Sequence, residues 1–135
     1  MADMMEAGVV IVEGRPAFWH LPSGRSSGSL PDSRSLWDVL WENRGRLDGF
    51  AHSHPGGGWP GPSMEDLTTF RAVEKALGRM LTWWIVSQDR TVVLKWNPAG
   101  HEEHLKYVME PEYQEPDWVW KLREHSYVPE PGAAR

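Results

Sequence analysis

The sequence predicts a single α/β domain on the basis of its size, its composition and the order of its hydrophobic patterns. Its 135 residues are 40% hydrophobic and 24% charged, which is ordinary for one globular domain. Strand-like apolar segments alternate along the chain with segments whose apolar residues recur at helical spacing. We expect one compact domain over residues 1–127, followed by a flexible tail over residues 128–135.

Five strands and two helices are predicted before residue 97. Each strand is rich in aliphatic, β-branched or aromatic residues and is bounded by turn residues. The predicted strands cover residues 8–12, 17–21, 47–54, 81–86 and 91–96. Each helix repeats apolar residues at spacings of three or four positions behind a serine or aspartate cap. The predicted helices cover residues 32–44 and 63–80.

The chain after residue 97 carries weaker patterns. Leu105, Val108 and Met109 fit one helical turn, whereas residues 118–122 place tryptophan or leucine at every second position, as a strand does. The chain has 9 tryptophans. Most of them should be buried or half-buried, because an indole removes a large apolar area from water.

Composition argues against several classes of protein. The formal net charge is −5, and the 14 Lys and Arg residues form no dense basic stripe, so no nucleic-acid partner is expected. No apolar stretch reaches about 18 residues and the first residues do not resemble a signal peptide, so we expect a cytoplasmic protein that does not span a membrane. The absence of cysteine excludes disulfides and a thiol nucleophile.

One segment gathers candidate metal ligands and a hydroxyl. His52 and His54 lie two positions apart at the end of a predicted strand, so their side chains point to the same face. Pro55 ends that strand, and a loop rich in glycine and proline leads to Ser63 and Asp66. Two imidazoles and one carboxylate are a donor set that favours zinc. Ser63 and Asp66 also fit a capping box at a helix start, and both interpretations can hold together.

The other histidines carry weaker signals. His101 and His104 are three positions apart, whereas a zincin helix needs four, so they are expected on a solvated helix face. His20 and His125 have no candidate ligand at a useful spacing. Residues 56–58 are glycines without the lysine of a phosphate-binding loop.

The ordered set of residues resembles the JAMM or MPN-plus (JAB-domain) zinc metalloproteases. Their motif is an upstream glutamate, then His-x-His-Pro, a short loop and Ser-x-x-Asp, and the resemblance covers residues 6–96. It implies that one zinc ion per chain is held by His52, His54 and Asp66, and that Ser63 helps to stabilise an oxyanion. The loop over residues 55–62 is one residue longer than the family usually has, which its glycines can absorb.

The family also has a catalytic glutamate just ahead of its first strand. Glu6 fits this position because a glycine and an apolar strand follow it. Glu13 is the rival, although its sequence context predicts a turn between two strands. Glu42 is a third carboxylate, expected on a helix. Relatives usually have a helix before this glutamate, so the five residues ahead of Glu6 must be anchored in another way.

The resemblance implies an MPN/JAB-like domain, with a mixed, curved sheet flanked by helices in a cytidine-deaminase-like architecture. It implies a compact, bacterial-type isopeptidase, similar to deubiquitinases, that hydrolyses the bond after the C-terminal tail of a ubiquitin-like protein. Glu6 would act as general base. Activating and conjugating enzymes of such a pathway are possible partners. Trp59, in the loop beside the zinc ligands, is a candidate for substrate binding.

Two alternatives stay open. The chain could be a non-catalytic MPN-type scaffold, since members of the superfamily have lost their zinc. It could also be a peptidase of the same type that acts on small peptide conjugates without a folded partner.

Overall fold

The computed structural model describes residues 2–97 and 107–129. Eight strands and three helices lie within these ranges. Their order is β1 (Ala2–Met4), β2 (Gly8–Val12), β3 (Arg15–His20), α1 (Arg34–Glu42), β4 (Leu47–Ser53), α2 (Met64–Leu77), β5 (Thr82–Val86), β6 (Thr91–Trp96), β7 (Tyr107–Pro111), α3 (Asp117–His125) and β8 (Tyr127–Pro129). None of the three described helices has the length and apolar character needed to cross a lipid bilayer.

Six strands form one mixed sheet in the order β3-β2-β4-β5-β6-β7. Only β4 and β5 pair in parallel, and α2 makes the crossover between them. The other neighbours pair antiparallel. The predicted α/β class is therefore confirmed, and β5 lies inside the sheet, as its nearly continuous apolar sequence indicates.

The sheet buries side chains on both faces. On one face α1 and α2 cover a cluster that includes Val10, Phe50 and Ile85. On the other face α3 covers a smaller cluster that includes Val9 and Ala51. Neighbouring residues of one strand therefore serve opposite faces, which is the period-two rule of a strand.

A buried carboxylate ties α2 to the sheet. Glu74 is only 2% exposed, and it accepts hydrogen bonds from the Leu81 backbone N–H (2.8 Å), the Trp83 indole N–H (3.2 Å) and the Tyr107 hydroxyl. Three donors compensate for the removal of this carboxylate from water. Gly78 then ends the helix in the left-handed conformation (φ 72°).

The C-terminal third differs from the sequence prediction in two places. Val108 and Met109 lie in β7 and not in a helical turn, because pairing with β6 decides the structure of this segment. The predicted strand over residues 118–122 is wrong, since these residues lie in α3. Trp118 and Leu122 are one helical turn apart and buried, whereas Trp120 is 63% exposed.

The chain ahead of Glu6 is anchored by a second, two-stranded sheet of β1 and β8. β8 extends two residues into the predicted tail, and residues 130–135 lie outside the described ranges. Leu105 and the predicted solvated helix face with His101 and His104 also lie outside them.

Candidate metal centre

β4 brings two histidines to one edge of the sheet. His52 is near the end of the strand and 4% exposed, and His54 follows directly after it. Their Nε2 atoms are 2.9 Å apart. The His54 backbone N–H donates to the Val86 carbonyl (2.9 Å), so His54 stays attached to the neighbouring strand β5 although β4 has ended. The two imidazoles therefore converge, as the two-residue spacing predicts.

Asp66 approaches the same point from the first turn of α2. Its Oδ1 lies 3.4 Å from Nε2 of His52, and its Oδ2 lies 3.2 Å from Nε2 of His54. The Ser63 backbone N–H donates to Asp66 Oδ2 (2.9 Å), and the Asp66 N–H donates to the Ser63 hydroxyl oxygen (3.0 Å). The capping box is thus present, and it orients Asp66 towards the histidines.

Glu6 lies two residues before the start of β2, and its carboxylate approaches the two histidines. A carboxylate oxygen of Glu6 and one ring nitrogen of each of His52 and His54 all lie within 4.8 Å of one another. The backbone at this position is held on both sides. The Glu6 N–H donates to the Ser26 carbonyl (2.7 Å), and the Arg25 guanidinium donates to the Glu6 carbonyl (3.3 Å).

The rival carboxylates lie elsewhere. Glu13 occupies the tip of the β2–β3 hairpin with φ 51°, at the opposite end of β2 from Glu6, and it pairs with Arg46 at 3.3 Å. Glu42 is exposed at the last residue of α1. Of the three carboxylates considered, the structure brings only Glu6 to the histidines.

The electrostatics of the site differ between its two carboxylates. Burial raises the pKa of Glu6, and the neighbouring His52 and His54 offset this only in part. Burial alone would raise the pKa of Asp66 as well, but hydrogen bonds from both histidines hold it well below its usual range. Burial by itself would lower the pKa of His54, yet its hydrogen bond to Asp66 raises it. Asp66 is thus kept anionic, while Glu6 is the more easily protonated acid.

The donor set fits a divalent cation. Ligands around a tetrahedral zinc with bonds of about 2.0–2.1 Å stand roughly 3.3–3.4 Å apart. The two imidazole nitrogens are 2.9 Å apart, and each has one Asp66 oxygen close to this distance, Oδ1 at 3.4 Å from His52 and Oδ2 at 3.2 Å from His54. The group of Glu6 with the two histidines could also hold a metal ion.

An open cleft of about 860 Å³ surrounds these groups. One wall is the start of α2, including Ser63, and another is the loop that carries Ser27 and Leu30. Residues 22–29 of this loop are polar and rich in serine and glycine. No periodic pattern marks it, and it is linked to the site by the hydrogen bonds of the Glu6 backbone with Ser26 and Arg25.

Trp59 does not line this cleft. It is 52% exposed, the Arg90 guanidinium lies 4.8 Å from its ring centroid, and its ring meets Tyr113 edge-on. The loop around it is attached to the β5–β6 turn, where the Ser87 hydroxyl donates to the Gly58 carbonyl (2.5 Å) and the Gly58 N–H donates to Asp89 (2.8 Å). Its role in substrate binding stays a prediction.

Two further histidines lie away from the cluster. His20 is buried, with Nε2 at 2.6 Å from the Pro31 carbonyl oxygen. The His125 ring packs against Trp19 with the centroids 4.8 Å apart. Both have local packing partners and neither belongs to the metal group.

The chain matches no protein-family model, and no curated protein matches it. The resemblance to the JAMM metalloproteases therefore stays a prediction from the sequence motif.

Proposed function

We propose that this protein is a zinc-dependent amide hydrolase of the JAMM type with an MPN/JAB-like fold. The observation that carries the proposal is the convergence of His52, His54 and Asp66 from β4 and α2, with the carboxylate of Glu6 beside them in an open cleft. The two imidazoles and Asp66 are the ligands. When bound, zinc polarises a carbonyl group and lowers the pKa of water.

Glu6 is the general base. Its raised pKa suits a carboxylate that accepts a proton from the attacking water and later delivers it to the leaving amine. Hydrogen bonds from Arg25 and to Ser26 hold its backbone, which limits the motion of the proton acceptor.

Ser63 has a separate task. Its hydroxyl oxygen already accepts the Asp66 N–H, which leaves the hydroxyl hydrogen for donation into the cleft. Attack on an amide creates negative charge on the carbonyl oxygen, and a positioned donor stabilises that charge as it develops. The N-cap serine therefore serves both the helix and the reaction.

The substrate we propose is the C-terminal tail of a ubiquitin-like protein, in its precursor or its conjugates. Support comes from the resemblance to compact isopeptidases over residues 6–96 and from a cleft open enough to admit an extended chain. Activating and conjugating enzymes of the same pathway would then be its partners.

The test measures zinc content and cleavage of a ubiquitin-like fusion in the same samples. Wild type should carry about one zinc per chain and cleave the fusion. His54→Ala should lose both properties, and Glu6→Ala should keep the zinc but lose cleavage. Glu13→Ala is the matched control, because it removes the rival carboxylate at the far end of β2 and should retain both. A wild type without zinc and without cleavage would overturn the proposal.

A further inference from the structure

An apolar groove opens off the cleft between α1 and α2. It encloses about 410 Å³, which is within the range of about 300–1,000 Å³ typical of ligand pockets. Leu36, Trp37 and Leu40 of α1 and Ala72 and Val73 of α2 line it. We call this space the α1–α2 groove.

The α1–α2 groove is continuous with the cleft. Asp32, Thr68 and Thr69 line both spaces, so they form the junction. Ser33 caps the start of α1 next to Asp32, and Asp66 lies in the first turn of α2. Both helices therefore begin at the cleft and run away from it, with the groove between them.

The lining favours an apolar occupant. Beyond the polar junction the groove is bounded by aliphatic and aromatic side chains, with Phe50 and Trp83 contributed by the sheet. Among the described residues no Lys or Arg lines the groove, and Asp32 lies at its junction with the cleft, so an anionic side chain would find no counter-charge inside the groove. Trp37, which lines the groove, stays 38% exposed, so it has apolar surface that an occupant can cover.

The position of the groove along α2 gives the distance between a side chain in the groove and the hydrolysed bond. Ala72 and Val73 follow Asp66 by six and seven positions, which corresponds to about 9–10 Å along the helix axis. An extended peptide advances about 3.3 Å per residue. A side chain in the groove would thus belong to a residue about three positions from the bond at the metal ligands.

We propose that the α1–α2 groove is a specificity pocket that takes a bulky aliphatic or aromatic side chain of the substrate about three residues from the hydrolysed bond. This assignment rests on the proposed function for its orientation. It goes beyond it by predicting a sequence preference in the substrate. Burial of a leucine side chain in such a pocket should tighten binding about tenfold or more.

Binding is tested first, without turnover, on the zinc-loaded Glu6→Gln variant. Three peptides are used: acetyl-Leu-Ala-Gly-Gly-Ala-Ala-amide, acetyl-Ala-Ala-Gly-Gly-Ala-Leu-amide and acetyl-Ala-Ala-Gly-Gly-Ala-Ala-amide. In the first two, leucine is the third residue from the Gly-Gly bond, on its acyl side and on its amine side respectively. We expect one leucine peptide to bind about tenfold tighter than the alanine peptide and to shift the NMR amide signals of Ala72 and Val73. If the first peptide binds more tightly, the acyl side of the substrate lies in the groove, and if the second does, the amine side lies there.

A filled groove provides the second test. Ala72→Trp should abolish the leucine preference in binding and in kcat/KM while the zinc content stays unchanged. Ala76→Trp is the matched control, since Ala76 is exposed one turn further along α2 and does not line the groove. It should behave like wild type.

The outcomes separate the two proposals. Equal binding of the three peptides to the Glu6→Gln variant, or a leucine preference that survives Ala72→Trp, would overturn the groove assignment even if the wild-type enzyme cleaves. Leucine-dependent binding that Ala72→Trp removes, without any cleavage, would support the groove as a ligand site and overturn the hydrolase.

Discussion

The six-stranded sheet has two different faces. On the face covered by α1 and α2, the histidine side chains of the candidate site line an open cleft. On the face covered by α3, which we call the sealed face, polar side chains are buried and hydrogen-bond to one another. His52 and Ser53 are neighbours on β4, yet His52 faces the cleft and the Ser53 hydroxyl lies 2.6 Å from that of Ser126 under α3. One short segment thus contributes both to the candidate site and to the structure behind it.

The charged groups on the sealed face hydrogen-bond to other groups of the protein. Arg123 is 7% exposed and donates to both carboxylate oxygens of Glu115 (2.9 and 2.6 Å) and to the Ser87 carbonyl (2.8 Å). Thr91 donates to the same Glu115 carboxylate at 2.5 Å. Groups satisfied in this way stabilise the fold, whereas the imidazoles and carboxylates at the cleft line a space that a ligand can enter. Changes on the two faces should therefore have different consequences.

The largest effect is expected for Asp66→Asn on the open face. The amide keeps an oxygen that accepts the Ser63 N–H, so the capping box survives, but the anionic metal ligand is lost. Zinc content should fall to background and cleavage should disappear. Elemental analysis and a cleavage assay on the folded variant measure both.

Ser63→Ala changes the other member of the Ser63–Asp66 capping box. It removes the capping acceptor of Asp66 and costs about 1 kcal/mol of stability, but it leaves the three ligands in place. Zinc should stay bound while kcat falls about 100- to 1,000-fold through the missing oxyanion donor. Stoichiometric zinc in Asp66→Asn would contradict the ligand assignment.

The second largest effect is expected for Glu115→Ala on the sealed face. Glu115→Ala leaves the buried Arg123 without its carboxylate partner, and loss of one member of a buried pair costs about 3–5 kcal/mol. We expect the lower end of this range because Glu115 keeps a fifth of its side-chain surface exposed. Urea unfolding measures the loss. Zinc per folded chain should be unchanged, and a variant that loses zinc while folded would show that the faces are coupled.

A smaller effect tests the connection between the faces. The Ser53 hydroxyl accepts the buried Ala7 N–H at 2.9 Å, next to Glu6. Ser53→Ala leaves that N–H unpaired, which costs about 1–3 kcal/mol, and frees the backbone beside Glu6, the proposed general base. We expect kcat to fall several-fold with KM and zinc content unchanged.

Ser126→Ala serves as the control for Ser53→Ala. It removes the second hydroxyl of the pair but keeps the bond between Ser53 and Ala7, so it should lower stability without lowering kcat. Equal kcat values for the two variants would show that Ser53 has only a structural role.

The smallest effect is a pH dependence on the sealed face. The hydrogen bond from Arg123 lowers the pKa of Glu115, with Thr91 adding to the shift and burial opposing it. A carboxyl whose folded-state pKa is depressed stabilises the fold above its unfolded pKa, near 4.5, and this contribution is lost as the pH falls through the folded value. The stability difference between wild type and Glu115→Gln should therefore shrink below about pH 4.5. A constant difference from pH 6 to pH 3 would contradict this.

Local patterns predicted most elements of the first 97 residues. Strands β2 and β6 have the predicted bounds, and the predicted helix over residues 63–80 contains α2. These segments carry their own periodicity and end signals, such as the Ser63 cap and Gly78. The C-terminal third was predicted less well because α3 has an apolar residue at every second position, so its pattern imitates a strand.

The sequence by itself determined the convergence of His52 and His54 and the capping box that orients Asp66, because both depend on spacings of two and three residues within one element. Only the tertiary structure decided which of Glu6 and Glu13 lies beside the histidines. It also decided the loop wall of the cleft, the α1–α2 groove and the pairing of β1 with β8. These features depend on contacts between segments far apart in the chain, and such contacts leave no periodic mark on either segment.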